Sequence, residues 1–292
     1  MSFKILTDTS ANLPTPLLKE NKIGVIPFYY SIDGVEHTCL DTESFDGKEY
    51  YDRIRKRARV TTSQINPQIY ADFMEEYLKA GEDVLYISMS SGISGSFNSA
   101  QIGAQMLREK YPERDIRLVD TLGASLGEGI PVLKAVEWKN QGLVLAEVER
   151  RLNDLCKRMY QIFSVDDLNH LRRTGRLSNA AAIVGMVLQI KPLLKGNEMG
   201  QIVCIAKERG RKKAIQALAK RYADCVVDPS RQIVGIAHAD CQADADYLAD
   251  LLREAAPPRE ILTVMYEPVT GSHVGPDTLA LFFVGGEDVR SK

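Results

Sequence analysis

The chain has 292 residues, of which 45% are hydrophobic and 26% charged, and its formal net charge is −2. Such values fit a folded protein with a full core and room for two domains of ordinary size. They exclude the strong basic field expected of a nucleic-acid binder or of a protein held on an anionic membrane surface.

In the first half, strand-like apolar runs alternate with helical periodicities. Residues 3–7, 23–30, 84–88 and 116–119 read as strands, and residues 46–57, 67–80, 97–110 and 123–140 as helices. That alternation predicts an α/β domain with a mainly parallel sheet. Asn66-Pro67 supplies an N-cap followed by proline at the first helical position. Asp33-Gly34, between residues 29–32 and 35–39, predicts a hairpin that makes one edge of this domain antiparallel. A helix over 145–158 leads into a strand at 160–165. Gly196-Asn197 then predicts a hairpin joining 192–195 to 201–206. After it come a helix over 211–226, a strand at 233–238, a helix over 243–255 and strands at 261–266 and 278–284. The second half therefore reads as an α+β domain with a mixed or antiparallel sheet. The division falls between residues 1–158 and 159–286.

The longest apolar run, residues 180–188, is far short of the roughly 20 residues that span a bilayer. No integral membrane association is expected, and the run itself reads as a buried helix or the lining of an apolar tunnel. The N-terminus enters a strand pattern without a signal-peptide pattern. The five cysteines, Cys39, Cys156, Cys204, Cys225 and Cys241, and the four histidines are dispersed, with no CxxC, HxH or HxxxH spacing. This predicts reduced thiols in a cytoplasmic protein and no structural metal.

The most informative stretch is Ser90-Ser91-Gly92-Ile93-Ser94-Gly95-Ser96, between a buried strand and a helix. Hydroxyls and free backbone N–H groups at a helix start form an anion site for a carboxylate or a phosphate. The loop has no lysine, so it is not a Walker-type nucleotide cradle. A serine-rich capping turn without a ligand is the plain alternative. Thr62, in Thr61-Thr62-Ser63-Gln64, reads equally as part of a helix N-cap cluster. Arg209 lies in the charged run 207–213, which suits a solvated surface. His273 falls in Thr270-Gly271-Ser272-His273-Val274-Gly275-Pro276, read as a glycine-flanked loop between strands. Arg176 follows a glycine stop and reads as a cap on a carbonyl. A serine hydrolase would use Ser94 as nucleophile and His273 as base. However, Gly92-Ile93-Ser94-Gly95-Ser96 misses the last glycine of the G-x-S-x-G elbow. A phosphosugar- or nucleotide-binding module is the other alternative.

In order along the chain, several segments resemble the DegV family of bacterial lipid-binding proteins. They are Thr7-Asp8-Thr9-Ser10-Ala11-Asn12-Leu13-Pro14, Thr62-Ser63-Gln64, Ser91-Gly92-Ile93-Ser94-Gly95-Ser96-Phe97, Asp120-Thr121 and Leu168-Asn169-His170-Leu171-Arg172-Arg173-Thr174-Gly175-Arg176-Leu177-Ser178. Ile190-Lys191-Pro192-Leu193-Leu194, Arg209-Gly210-Arg211-Lys212-Lys213-Ala214 and Gly271-Ser272-His273-Val274-Gly275-Pro276 complete the set. The resemblance implies two domains enclosing a long-chain fatty acid such as palmitate, for lipid transport or fatty acid metabolism. It implies a non-catalytic role like that of the fatty-acid-binding subunit of bacterial fatty acid kinase. There a separate ATP-dependent subunit converts the presented acid to an acyl phosphate. It implies that the carboxylate contacts are Thr62 and Ser94, with Arg209 and His273 completing the polar end, and that no cofactor is used. Two positions depart from the family pattern: Thr174 stands where glycine is usual, and Asp277 where glycine is common.

Overall fold

The computed structural model describes residues 2–178 and 189–291. The apolar run 180–188 lies outside the described residues. The first half contains β1 (Phe3–Asp8), α1 (Thr15–Glu20), β2 (Gly24–Ile26), β3 (Tyr29–Ile32), β4 (Val35–Thr38), α2 (Gly47–Arg55) and β5 (Val60–Ser63). It continues with α3 (Pro67–Lys79), β6 (Asp83–Ser88), α4 (Ser96–Lys110), β7 (Ile116–Asp120), α5 (Leu126–Asn140) and α6 (Leu145–Arg158). The second half contains β8 (Met159–Ser164), α7 (Asn169–Arg173), β9 (Ile190–Gly196), β10 (Ile202–Arg209) and α8 (Arg211–Cys225). β11 (Ile233–His238), α9 (Gln242–Ala255), β12 (Glu260–Met265), α10 (Pro268–Val274) and β13 (Leu279–Val284) follow.

Successive side chains of a strand face opposite sides, and β1 and β6 are apolar on both. Ile5, Leu85 and Ile87 meet α5 and α6 through Ile130, Val148 and Leu152. Leu6, Val84 and Tyr86 meet α3 and α4 through Met74, Ala100 and Ala104. The resulting sheet is fully parallel, in the order β2-β1-β6-β7. The second sheet runs β10-β9-β8-β13-β11-β12 and is antiparallel except at β11–β12. Its outer face carries Tyr160, Ile162, Ile236, Leu281 and Phe283 against α8 and α9. On its inner face Phe163, Ala237 and Phe282 join Leu126 and Ile130 of α5 in one core. At Gly235 a Cβ would stand 2.9 Å from the Leu126 side chain, so glycine lets α5 lie directly on β11. α5 is the layer shared by the two sheets, and every strand of the second sheet begins at Met159 or later.

The antiparallel edge expected of this domain is present, but as a sheet of its own. The Asp33-Gly34 hairpin forms, with both residues at positive φ (52° and 89°) as a tight primed turn requires. It does not extend the parallel sheet. β3 pairs with β4 and β5 in a separate three-stranded antiparallel sheet. Pro27 stands between β2 and β3 without an N–H to continue the ladder, so the single strand expected over 23–30 breaks in two.

Candidate functional site

Beyond the carboxyl ends of β6 and β7, where parallel sheets place their ligands, lies a cavity with about 970 Å³ of free space, part of it open to solvent. Its apolar walls include Phe28, Met89, Phe163, Leu171, Val274 and Phe282, drawn from both halves of the chain. Thr62, Ser94, Arg176, Thr270 and His273 also line it.

Thr62 is on β5, opposite Tyr30 of β3. The capping alternative does not apply to it, because the cap of α3 is Asn66, whose Oδ1 accepts from the Ile69 N–H at 3.0 Å. The Thr62 hydroxyl instead pairs with Nε2 of His273 at 3.0 Å. Ser94 precedes α4; its Oγ accepts from the Ser96 N–H at 3.2 Å and donates to Ser96 Oγ at 3.1 Å. The chain thus brings Thr62, Ser94 and His273 to one cavity from three separate segments.

The segment around His273 is helical rather than a loop. Glu267 caps α10 by accepting from the Val269 and Thr270 N–H groups at 2.6 Å each, Pro268 occupies the first turn, and Gly275 ends the helix at φ 82°. The glycines at 271 and 275 suggested a loop. Gly271 is instead a packing glycine: a Cβ there would fall 2.1 Å from the Tyr51 hydroxyl. Tyr50 and Tyr51 of α2 donate to the Pro268 and Tyr266 carbonyls at 2.6 and 2.9 Å and hold α10 in place.

Burial, and secondarily the positive charge of Arg176, lower the His273 pKa to about 4. Burial pushes Glu267 up to about 7. The two groups respond to pH in opposite senses. Between pH 6.5 and 4 the unfolded chain protonates this histidine and the native protein does not, so its contribution is complete above 6.5 and lost as pH falls to 4. Glu267 contributes fully below 4.5 and loses that contribution as pH rises to 7. His273→Gln should therefore flatten the acid limb of stability. Urea melts should show the parent losing about 1–3 kcal/mol relative to the variant between pH 7 and 4.5. A difference that stays constant with pH would mean that the native imidazole titrates normally.

Arg209 is not brought to this place. It is exposed at the end of β10, opposite Ile190, and is not among the described residues lining the cavity. Among the described residues, the arginine that lines it is Arg176, which also caps carbonyls as its sequence context suggested. Its Nε donates to Ile93 O at 3.3 Å and its Nη1 to Thr174 O. The two departures from the family pattern have local explanations. Thr174 has ordinary helical angles, φ −94° and ψ −1°, and the left-handed turn falls on Gly175 at φ 70°. Asp277 does occupy a glycine-like conformation, at φ 60°, and its carboxylate accepts from Arg55 Nη2 at 2.9 Å.

Two contributors were not anticipated. Gln161, a polar residue inside apolar β8, accepts from the Ala124 N–H at 3.2 Å and donates to Leu122 O at 3.0 Å, tying the loop after β7 to the second sheet. Its isolation among Tyr160, Ile162 and Phe163 was a usable signal. Arg290 is buried near the C-terminus and donates to the carbonyls of Leu122, Asn197, Cys156 and Met159. Nothing in its local sequence marks it.

The family model described as "Uncharacterised protein, DegV family" matches residues 2–285. The chain belongs to the DegV family. A DegV domain-containing protein of Clostridium perfringens is 39% identical over 287 residues, covering 97% of each chain. Among solved structures, a DegV family protein from Thermus thermophilus, described for its fatty acid binding, superposes with a TM-score of 0.87 at 30% identity and covers 98% of this chain and 100% of its own. A fatty acid binding DegV family protein from Streptococcus agalactiae gives 0.85 at 29% identity, covering 98% and 99%. Among the described residues this site does not assemble the constellation of a serine hydrolase. Nε2 of His273 faces Thr62, Ser94 turns to Ser96, and Nδ1 of His273 is buried with no hydrogen-bond partner, so no carboxylate orients the imidazole.

Proposed function

We propose that this protein binds one long-chain fatty acid in the cavity, with its carboxyl group at Thr62 and Ser94 and its tail against Phe28, Phe163, Leu171 and Phe282. The observation that carries this reading is a largely apolar cavity whose polar groups include Thr62, Ser94 and His273. A polar headgroup buried without partners costs several kcal/mol, and two hydroxyls within one cavity can offset that. Burying about 15 methylenes at roughly 0.8 kcal/mol each yields a gross gain of order 12 kcal/mol. Chain ordering and loss of free motion consume much of it, leaving room for sub-micromolar affinity. The fatty-acid-binding DegV proteins of Thermus thermophilus and Streptococcus agalactiae support a fatty acid as the ligand.

In this reading the protein is a carrier and not an enzyme, and it presents the acid to a separate ATP-dependent kinase subunit that forms the acyl phosphate. His273 contributes by holding Thr62. Arg209, exposed on β10, is left outside the headgroup contacts. Titration separates this from the phosphate-ligand alternative. Palmitate should bind with one-to-one stoichiometry, and glucose 6-phosphate at millimolar concentration should not displace it. Displacement by the sugar phosphate would favour the alternative.

A further inference from the structure

The inner face of the second sheet is one wall of the cavity, and its cross-strand neighbours form a row. Phe282 of β13 pairs with Gln161 of β8, and Ile202 of β10 pairs with Gly196 of β9. A Cβ on Gly196 would stand 3.5 Å from Gln161 Nε2, which sets the two pairs side by side. All four residues line the cavity, and Gln161 is the polar side chain of the row.

The row lies away from the headgroup contacts. β8 runs from Gln161 through Phe163 toward α7, whose His170 packs against Gly275 at the end of α10. α10 carries His273, the partner of Thr62. Phe163 is therefore nearer the polar end, and Gln161, two residues back on the same face, lies about 7 Å deeper.

Gln161 is wedged in place. Its Oε1 and Nε2 are both engaged by the loop after β7, at the Ala124 N–H and the Leu122 carbonyl. A Cβ on Gly123 would fall 2.8 Å from its Nε2, and one on Gly127 would overlap its Oε1. The amide thus fills the slot between this loop and the first turn of α5. The loop is fixed in turn. Gly123 O accepts from the Ser90 N–H at 2.7 Å, and Leu122 O accepts from Arg290 Nη2 at 2.6 Å. Leu122 and Ser125 hold left-handed φ values of 53° and 54°, which only such contacts maintain in residues other than glycine.

We infer that Gln161 is the floor of the acyl channel and sets the longest chain that the cavity accepts. A tail that passes Leu171 and Phe163 brings its terminal methyl to the row of Gln161, Gly196 and Phe282. One methylene too many must either pull the amide from its loop or lift the carboxyl from Thr62 and Ser94. Affinity therefore rises with chain length until the floor is met and then falls.

This inference rests on the carrier reading and names the limit of its ligand. The test titrates laurate, myristate, palmitate, stearate and arachidate into the parent, Gln161→Ala and Gln161→Leu. Alanine removes Cγ, Cδ, Oε1 and Nε2, room for roughly two to three methylenes. The length of tightest binding should move up by about two carbons, and that longer acid should gain about tenfold relative to the parental optimum. Leucine refills the space but cannot bond the loop, so its optimum should stay at the parental length, whatever the absolute affinities become. An unmoved optimum in Gln161→Ala overturns the inference. So does an optimum in Gln161→Leu that moves with it, since loop bonding and not side-chain volume would then govern length. Should Gln161→Ala fold poorly, the parent decides: the isotopically labelled terminal methyl of its tightest-binding acid should show a nuclear Overhauser contact to the Gln161 side-chain amide, and its absence overturns the inference. Each of these failures leaves the carrier reading standing, whereas a parent that binds none of the acids overturns both.

Discussion

Thr62→Val combined with Ser94→Ala is expected to weaken palmitate binding by about 10²- to 10⁴-fold while leaving the fold intact. Each hydroxyl removed from a buried polar headgroup costs about 1–3 kcal/mol, and the two side chains come from separate elements, β5 and the loop before α4. The valine also strips His273 Nε2 of its 3.0 Å partner, which places the double variant toward the upper end of that range. Calorimetric titration reads the effect, and an unchanged circular dichroism spectrum shows that the sheets persist. Affinity within twofold of the parent would remove both residues from the headgroup contacts.

Gly92→Ala is expected to abolish binding from a greater distance and to lower stability as well. A Cβ on Gly92 would stand 2.3 Å from Met199 O, 2.6 Å from Gly200 C and 2.7 Å from Gly200 O. All three are backbone atoms and cannot rotate away. Gly200 is itself in the left-handed region at φ 68°, and its carbonyl accepts from Ser90 Oγ at 2.9 Å, so the turn between β9 and β10 has little freedom to retreat. The loop bearing Ser94 must move instead, at a cost of about 1–3 kcal/mol or more. Ser91→Ala, on the exposed side of the same loop, should be close to neutral in both assays. A Gly92→Ala protein with parental melting temperature and affinity would show that the loop and the β9–β10 turn are not tightly opposed.

The parts legible in the sequence were those with local causes. Alternating apolar strands and amphipathic helices give the parallel sheet and its two covering layers, and Asp33-Gly34 gives its hairpin wherever that hairpin later docks. Which sheet the hairpin joins depends on Pro27 and on packing against β5, which no local pattern reports. Thr62, Ser94 and His273 were readable as polar residues at special positions, but their convergence is a tertiary fact. His273 shows why: its glycines signal a loop, whereas Glu267, Pro268 and contact with Tyr51 make a helix. Arg209 and Arg176 illustrate the reverse. Both are arginines in charged, glycine-containing runs, and only the fold separates the exposed one from the one in the cavity wall. Asp8 and Glu128, both buried and both in contact with the Ser10 hydroxyl, lie far apart in sequence and meet only when α5 packs on β1.

Mass spectrometry of the protein purified from a bacterial host, under native and then denaturing conditions, tests the central claim most directly. The account predicts that the native mass exceeds the denatured mass by one long-chain fatty acid, and that the released compound is that acid. A native mass equal to the denatured mass, in a protein that also fails to bind added palmitate or oleate, would contradict it.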